Sequence, residues 1–163
     1  MKKWLLPAAG IALLVALDQV VKRWVLVVLV PHGPIPVISV ILELLYVENR
    51  GAAFGILQNR QWFFMIITAV VLLGLLWIYP RIPDDRHYLP LRLCLIFIAS
   101  GAIGNMIDRI TRGYVVDFIY FKLIDFPVFN LADIYVTCSA FALVYLLIFY
   151  YKDQELECIF RKK

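Results

Sequence analysis

The sequence predicts an all-α membrane protein: four transmembrane helices with a small extracytoplasmic β element. Three observations carry that expectation. The 163 residues are 63% hydrophobic with a mean hydropathy of +0.84, whereas soluble domains are roughly 45–50% apolar. Four apolar windows of about 20 residues recur along the chain, the length that crosses a bilayer as a helix. Between the first two lies a proline-broken stretch rich in β-branched residues. At this length there is room for one membrane domain, residues 1–163, and no separate soluble one.

The first span is expected from about Trp4 to Val30. Its start, Met1-Lys2-Lys3-Trp4-Leu5-Leu6, has the basic and apolar regions of a secretory signal. No small-x-small cleavage site ends that run, and the apolar pattern continues past Lys22-Arg23, so the segment reads as a retained span. Pro31, Gly33, Pro34 and Pro36 are expected to break the helix. Val37 to Val47 then forms short strands resting at the membrane surface. The second span is expected from Gln61 to Tyr79, the third from Tyr88 to Ile110 and the fourth from Leu131 to Tyr151. The connection from Pro80 to His87 is short and polar. The one from Thr111 to Asn130 mixes aromatics with Asp117, Lys122 and Asp125, and is long enough to fold back over a site.

Lysine and arginine placement sets the orientation. One side carries Lys2, Lys3, Arg81, Arg86, Arg92, Lys152, Arg161, Lys162 and Lys163; the other carries Lys22, Arg23, Arg50, Arg60, Arg109, Arg112 and Lys122. The bias puts both termini in the cytoplasm, and Asp117 and Asp133 near the outer face. The formal net charge is +4 and the pI about 9.0. Much of that charge sits at the chain ends and in one loop. No basic stripe interleaved with aromatics exists, so nucleic acid is not expected as a partner. Cys94, Cys138 and Cys158 are odd in number and widely spaced. They suggest neither a disulfide framework nor a zinc site, and read as small apolar filler.

Asp117 and Asp133 are the principal candidates for chemistry. An ionisable group at membrane depth is costly unless paired or hydrated. Two carboxylates sharing one proton would supply a general base and a general acid, and so activate water against a peptide bond. Each also has a plain structural reading. Asn130-x-x-Asp133 before an apolar run is a helix N-cap with an acid in the first turn, and Asp117 could be a solvated loop acid. Asp18 and Lys22 stand one turn apart, acid before base. They are either a strut that orients the first span or a snorkelling lysine with its partner. Asn49 and Gly51 could bind a peptide backbone through amide hydrogen bonds and close approach, or form a plain turn. Asn105, Asp108 and Arg109 share one helix face beside Gly101 and Gly104. They form either the polar wall of a cleft, with Arg109 binding a carbonyl or lipid oxygen, or an interfacial cap with an Asp108–Arg109 surface pair.

His32 and His87 pair with no serine or cysteine in a recognisable way, and no HExxH or other metal-ligand spacing occurs. Serine or cysteine triads, metalloprotease chemistry and a resident cofactor are therefore not expected.

Five blocks stand in order: Asp18-Gln19-x-x-Lys22, Asn49-x-Gly51-Ala52-Ala53-Phe54, Gly101-Ala102-x-Gly104-Asn105-x-x-Asp108-Arg109, Val115-Val116-Asp117-Phe118 and Phe129-Asn130-x-Ala132-Asp133. In these blocks, and in length and span number, the chain resembles the lipoprotein signal peptidase (signal peptidase II) family. Ser100 departs from that pattern, where a second glycine is common. The resemblance implies a bacterial inner-membrane aspartyl endopeptidase. Its substrates would be prolipoproteins carrying a diacylglyceryl group on the lipobox cysteine, cut just before that cysteine. It implies Asp117 and Asp133 as the catalytic pair. Asn49, Gly51, Asn105, Arg109 and Asn130 would lie around the substrate and the peptide-like inhibitor globomycin. Asp18, Lys22 and Asp108 would support the site. Two non-enzyme readings stand beside it: a transporter using the aspartates as a proton relay, and an assembly factor in which they are only caps. The second and fourth spans lack polar residues in their cytoplasmic halves, which counts against the relay.

Overall fold

The computed structural model describes residues 2–51 and 60–160. It is mostly helical with a three-stranded antiparallel sheet, ordered β1-β2-β3. Helix α1 runs Lys2–His32, α2 Gln61–Ile78, α3 Leu89–Arg112 and α4 Leu131–Tyr145, followed by a π-turn at Leu146–Tyr150 and a short α5 at Asp153–Phe160. The strands are β1 Ile35–Ile38, β2 Leu42–Asn49 and β3 Val115–Phe121. Among the described residues, three helical segments, Gln61–Arg81, Arg86–Arg112 and Leu131–Tyr150, are long and apolar enough to cross a membrane by length and composition. Helix α2 buries none of its residues, and Val70, Leu73 and Leu76 stand more than half exposed, as suits a lipid-facing helix.

Pro31 does not break α1 as expected. It lies inside the last turn, and the helix continues to His32. The stop comes at Gly33, whose φ of 81° lets its N–H reach back to the Leu29 carbonyl at 2.9 Å. The strands expected within Val37–Val47 form, and a turn with Val40 at φ 67° separates them. Pro36 lies in β1, an edge strand, where its missing N–H costs no ladder bond. β3 was not anticipated. Its run Val115-Val116-Asp117-Phe118-Ile119-Tyr120-Phe121 is all β-former except Asp117. It pairs with β2 so that Val47 faces Asp117 and Asn49 faces Val115.

Helix α3 delivers the chain directly into β3. Gly113, at φ 77°, closes the helix by donating to the Arg109 carbonyl at 3.1 Å. The sheet docks on α1 through Val25, Leu29, Val116 and Phe118. A second apolar cluster joins the start of α3 to the chain after α4 through Tyr88, Leu91, Leu95, Leu146 and Ile159. Between these clusters α3 and α4 approach closely. A Cβ on Gly101 would collide with the Ala132 carbonyl oxygen, and one on Gly104 would fall 2.6 Å from Asp18 Oδ2. Both contacts are with fixed groups, so a methyl overpacks the junction. Gly104→Ala should therefore destabilise the protein by about 1–3 kcal/mol. The measurement is the melting temperature in detergent, and an unchanged value would contradict this packing.

Candidate active site

The site is built where α1, α3, β3 and the start of α4 meet. Its foundation is Lys22, which is fully buried with Asp18 and Asp108. The Lys22 ammonium has three hydrogens. It lies 3.0 Å from Asp18, 3.0 Å from Asp108 and 2.9 Å from Asn105 Oδ1. Asp18 accepts the Ala132 backbone N–H at 3.1 Å, so α1 satisfies one of the free N–H groups at the start of α4. Asp108 accepts the Val116 N–H at 3.2 Å and pairs with Arg112 at 2.6 Å. The alternative Asp108–Arg109 pair does not form. Arg112, one turn along α3, has the better spacing for it.

Asp117 is 1% exposed. Its two oxygens accept Asn49 Nδ2 at 2.8 Å and Asn130 Nδ2 at 2.6 Å. Asn49 is held in turn by the Gly51 N–H, which donates to its Oδ1 at 2.9 Å. The Ala52–Phe54 part of that block lies outside the described residues. Asn130 caps α4: its Oδ1 accepts the Asp133 N–H at 3.0 Å, while Asp133 Oδ2 accepts the Asn130 N–H at 3.1 Å. The cap and the candidate acid are thus the same residues, as a capping box allows. The other Asp133 oxygen accepts Asn105 Nδ2 at 2.7 Å. Asn130 Nδ2 also reaches Asn105 Oδ1 at 3.1 Å. One continuous hydrogen-bond network therefore runs from Asp117 through Asn130 and Asn105 to Asp133 and Lys22.

A backbone bridge sets this register. Phe118 and Ile119 donate to the Phe129 carbonyl at 3.0 and 2.8 Å, and Phe129 donates back to Ile119 at 3.1 Å. The next residue, Asn130, is thereby placed beside Asp117. Arg109 meets the network only at its edge, where its Nη1 donates to the Asn105 backbone carbonyl at 3.5 Å. Its guanidinium lies 5.0 Å over the Phe64 ring of α2, and its Nε is buried with no hydrogen-bond partner among the described residues. Sequence reasoning missed Gln19 and Arg112. Gln19 donates to Asp18, Asp108 and the Gly104 carbonyl at 3.2–3.3 Å, tying α1 to α3. Its place between Asp18 and Lys22 was the available signal. Among the described residues, no group of three metal-ligating side chains could hold an ion.

Burial, and next the charge of Asp133, push the Asp117 carboxyl from 3.8 up to about 7. The folded protein keeps a proton that the unfolded chain loses above about pH 4, so this group's contribution to stability is fully present below that pH and is lost as pH rises through about 7. Melting temperature in detergent should fall between pH 5 and pH 8, and Asp117→Asn should flatten the fall. A wild type and variant with parallel profiles would refute the assignment.

The chain matches the description "Signal peptidase (SPase) II" over residues 10–149. The lipoprotein signal peptidase of Caldanaerobacter subterraneus subsp. tengcongensis is 48% identical over 85% of this chain and 93% of that one. The lipoprotein signal peptidase of Clostridioides difficile is 44% identical over 88% and 96%. A bacterial membrane enzyme solved by the in meso method at 1.9 Å resolution has a TM-score of 0.76 and 32% identity, over 89% of this chain and 94% of that one. A second such structure, at 2.3 Å, gives a TM-score of 0.74 over 87% of each. Matching nearly end to end in sequence and in fold, this multi-pass bacterial membrane protein belongs to the signal peptidase II family.

Proposed function

We propose that the protein is an intramembrane aspartyl endopeptidase that removes signal peptides from diacylglyceryl-modified prolipoproteins, cutting before the lipidated cysteine. One observation carries the reading: a buried carboxylate, Asp117, and a half-buried one, Asp133, joined through the amides of Asn130 and Asn105. Burial disfavours two adjacent negative charges, so the pair keeps one proton between them. One carboxylate then deprotonates water while the other protonates the scissile carbonyl, and no covalent acyl-enzyme is needed.

Asn49, Gly51, Asn105, Arg109 and Asn130 surround the substrate in this reading. Arg109 suits a carbonyl or lipid ester oxygen, because its buried Nε–H has no partner among the described residues. Asp18, Lys22 and Asp108 support the wall from behind. Helix α1 serves as the fourth span: its 31 residues extend about 46 Å, beyond the roughly 30 Å hydrocarbon core. The termini lie in the cytoplasm and the aspartates near the outer face, where a secreted precursor presents its lipidated cysteine. Globomycin, as a peptide mimic, occupies the same site. A proton-relay role is disfavoured, because α2 carries no charged residue.

Purified protein is incubated with a diacylglyceryl-modified prolipoprotein, and signal-peptide release is read by mass. Wild type should cleave before the cysteine, while Asp117→Asn and Asp133→Asn should each lose turnover by a factor of at least about 10³, near the upper range of a single acid–base contribution. Near-normal turnover in either folded variant would reject the pair.

A further inference from the structure

The two carboxylates stand in unlike surroundings. Asp133 occupies the first turn of α4, where the helix dipole favours an anion. It accepts a backbone N–H from Asn130 and a side-chain N–H from Asn105. The guanidinium of Arg109 on α3 lies within electrostatic reach of both carboxylates, of Asp133 more strongly. Asp117 is on a strand and, among the described residues, receives the side-chain amides of Asn49 and Asn130.

Lys22 bears on this difference through Asn105. A primary amide donates at one end and accepts at the other, and an ammonium can only donate. Lys22 Nζ, at 2.9 Å, therefore makes the near end of Asn105 its carbonyl oxygen. The –NH₂ end must then face Asp133 Oδ1, 2.7 Å away. Lys22 cannot turn aside, because its other hydrogens are committed to Asp18 and Asp108.

We propose that Lys22 is a positioning residue: by fixing the Asn105 amide it makes Asp133 the anionic carboxylate that activates water and leaves Asp117 as the one that carries the proton. The inference rests on the aspartyl peptidase reading above. The local charges agree with it. Lys22, Arg109 and Arg112 face Asp18, Asp108, Asp117 and Asp133, so one proton on the Asp117–Asp133 pair makes the set neutral, the single proton the proposal requires. In the reaction, Asp133 takes a proton from water as the water oxygen bonds to the carbonyl carbon, and Asp117 gives its proton to the carbonyl oxygen. On collapse the C–N bond breaks. The amine leaves with the proton from Asp133, and the hydroxyl that becomes the new carbonyl returns its proton to Asp117.

The test is the pH dependence of kcat/KM on a diacylglyceryl-modified prolipoprotein, using full-length protein in detergent, with folding checked by melting. Asn105→Leu should move the acid limb up by about one pH unit, a roughly tenfold loss on that side. Asn49→Leu should move the alkaline limb instead. Lys22→Met should move the acid limb at least as far as Asn105→Leu, and the double variant should move it no further than Lys22→Met alone. An Asn105→Leu effect confined to the alkaline limb would reverse the roles and overturn the proposal, as would an unmoved acid limb. Should Lys22→Met fail to fold, Asn105→Leu decides, since it leaves both Lys22 ion pairs in place. Wild type that cleaves no substrate at any pH would defeat the peptidase reading itself, which is a different outcome.

Discussion

A single buried ammonium holds this site together. Lys22 has no access to water, and each of its hydrogens is taken by a different partner. A charge in such a place is tolerable only when its compensation is complete. Completing it fixes three other features. Asp18 must stand on the same face of α1, Asp108 must face inward from α3, and Asn105 must present its oxygen. Each of those partners also acts elsewhere in the fold. Asp18 starts α4, Asp108 anchors the first residues of β3, and Asn105 reaches Asp133. Removing one partner of such a buried set leaves an uncompensated charge, at a cost of about 3–5 kcal/mol.

The site is therefore inseparable from the fold that holds it. Asp133 closes the cap of its own helix, and Asn130 belongs at once to that cap and to Asp117. Gly104, which with Gly101 lets α3 approach α4, also leaves room for the Asp18 carboxylate. The chemistry and the packing draw on one set of atoms, so the groups are held in place before any substrate arrives.

Legibility in the sequence followed the range of the interaction. Local spacings were readable: Asp18 with Lys22 at one turn, the Asn130–Asp133 cap, and the apolar windows. Arg112 is one turn from Asp108 and so has the spacing of a helical ion pair, whereas the adjacent Arg109 would need an i,i+1 pair that a helix does not make. β3 is not legible because its one charged residue, Asp117, interrupts an otherwise plain strand pattern. The bridging by Asn105 and Asn130 was out of reach. It depends on the pairing of Ile119 with Phe129 and on the α3–α4 approach, neither of which leaves a local signal.

That Ile119–Phe129 bridge has a bearing on where the chain tolerates insertion. Residues between Phe121 and Phe129 bulge outward, with Leu123, Ile124 and Phe126 exposed. The bridge pins the segment at its base, and closing a somewhat longer loop adds little entropy cost. Extra residues there would lengthen the bulge and leave Asn130 beside Asp117. A single residue added between Phe129 and Asn130 would instead swing the amide to the opposite face of the backbone. Two neighbouring stretches of one connection thus differ sharply in their freedom to change length, and the boundary between them is one backbone pairing.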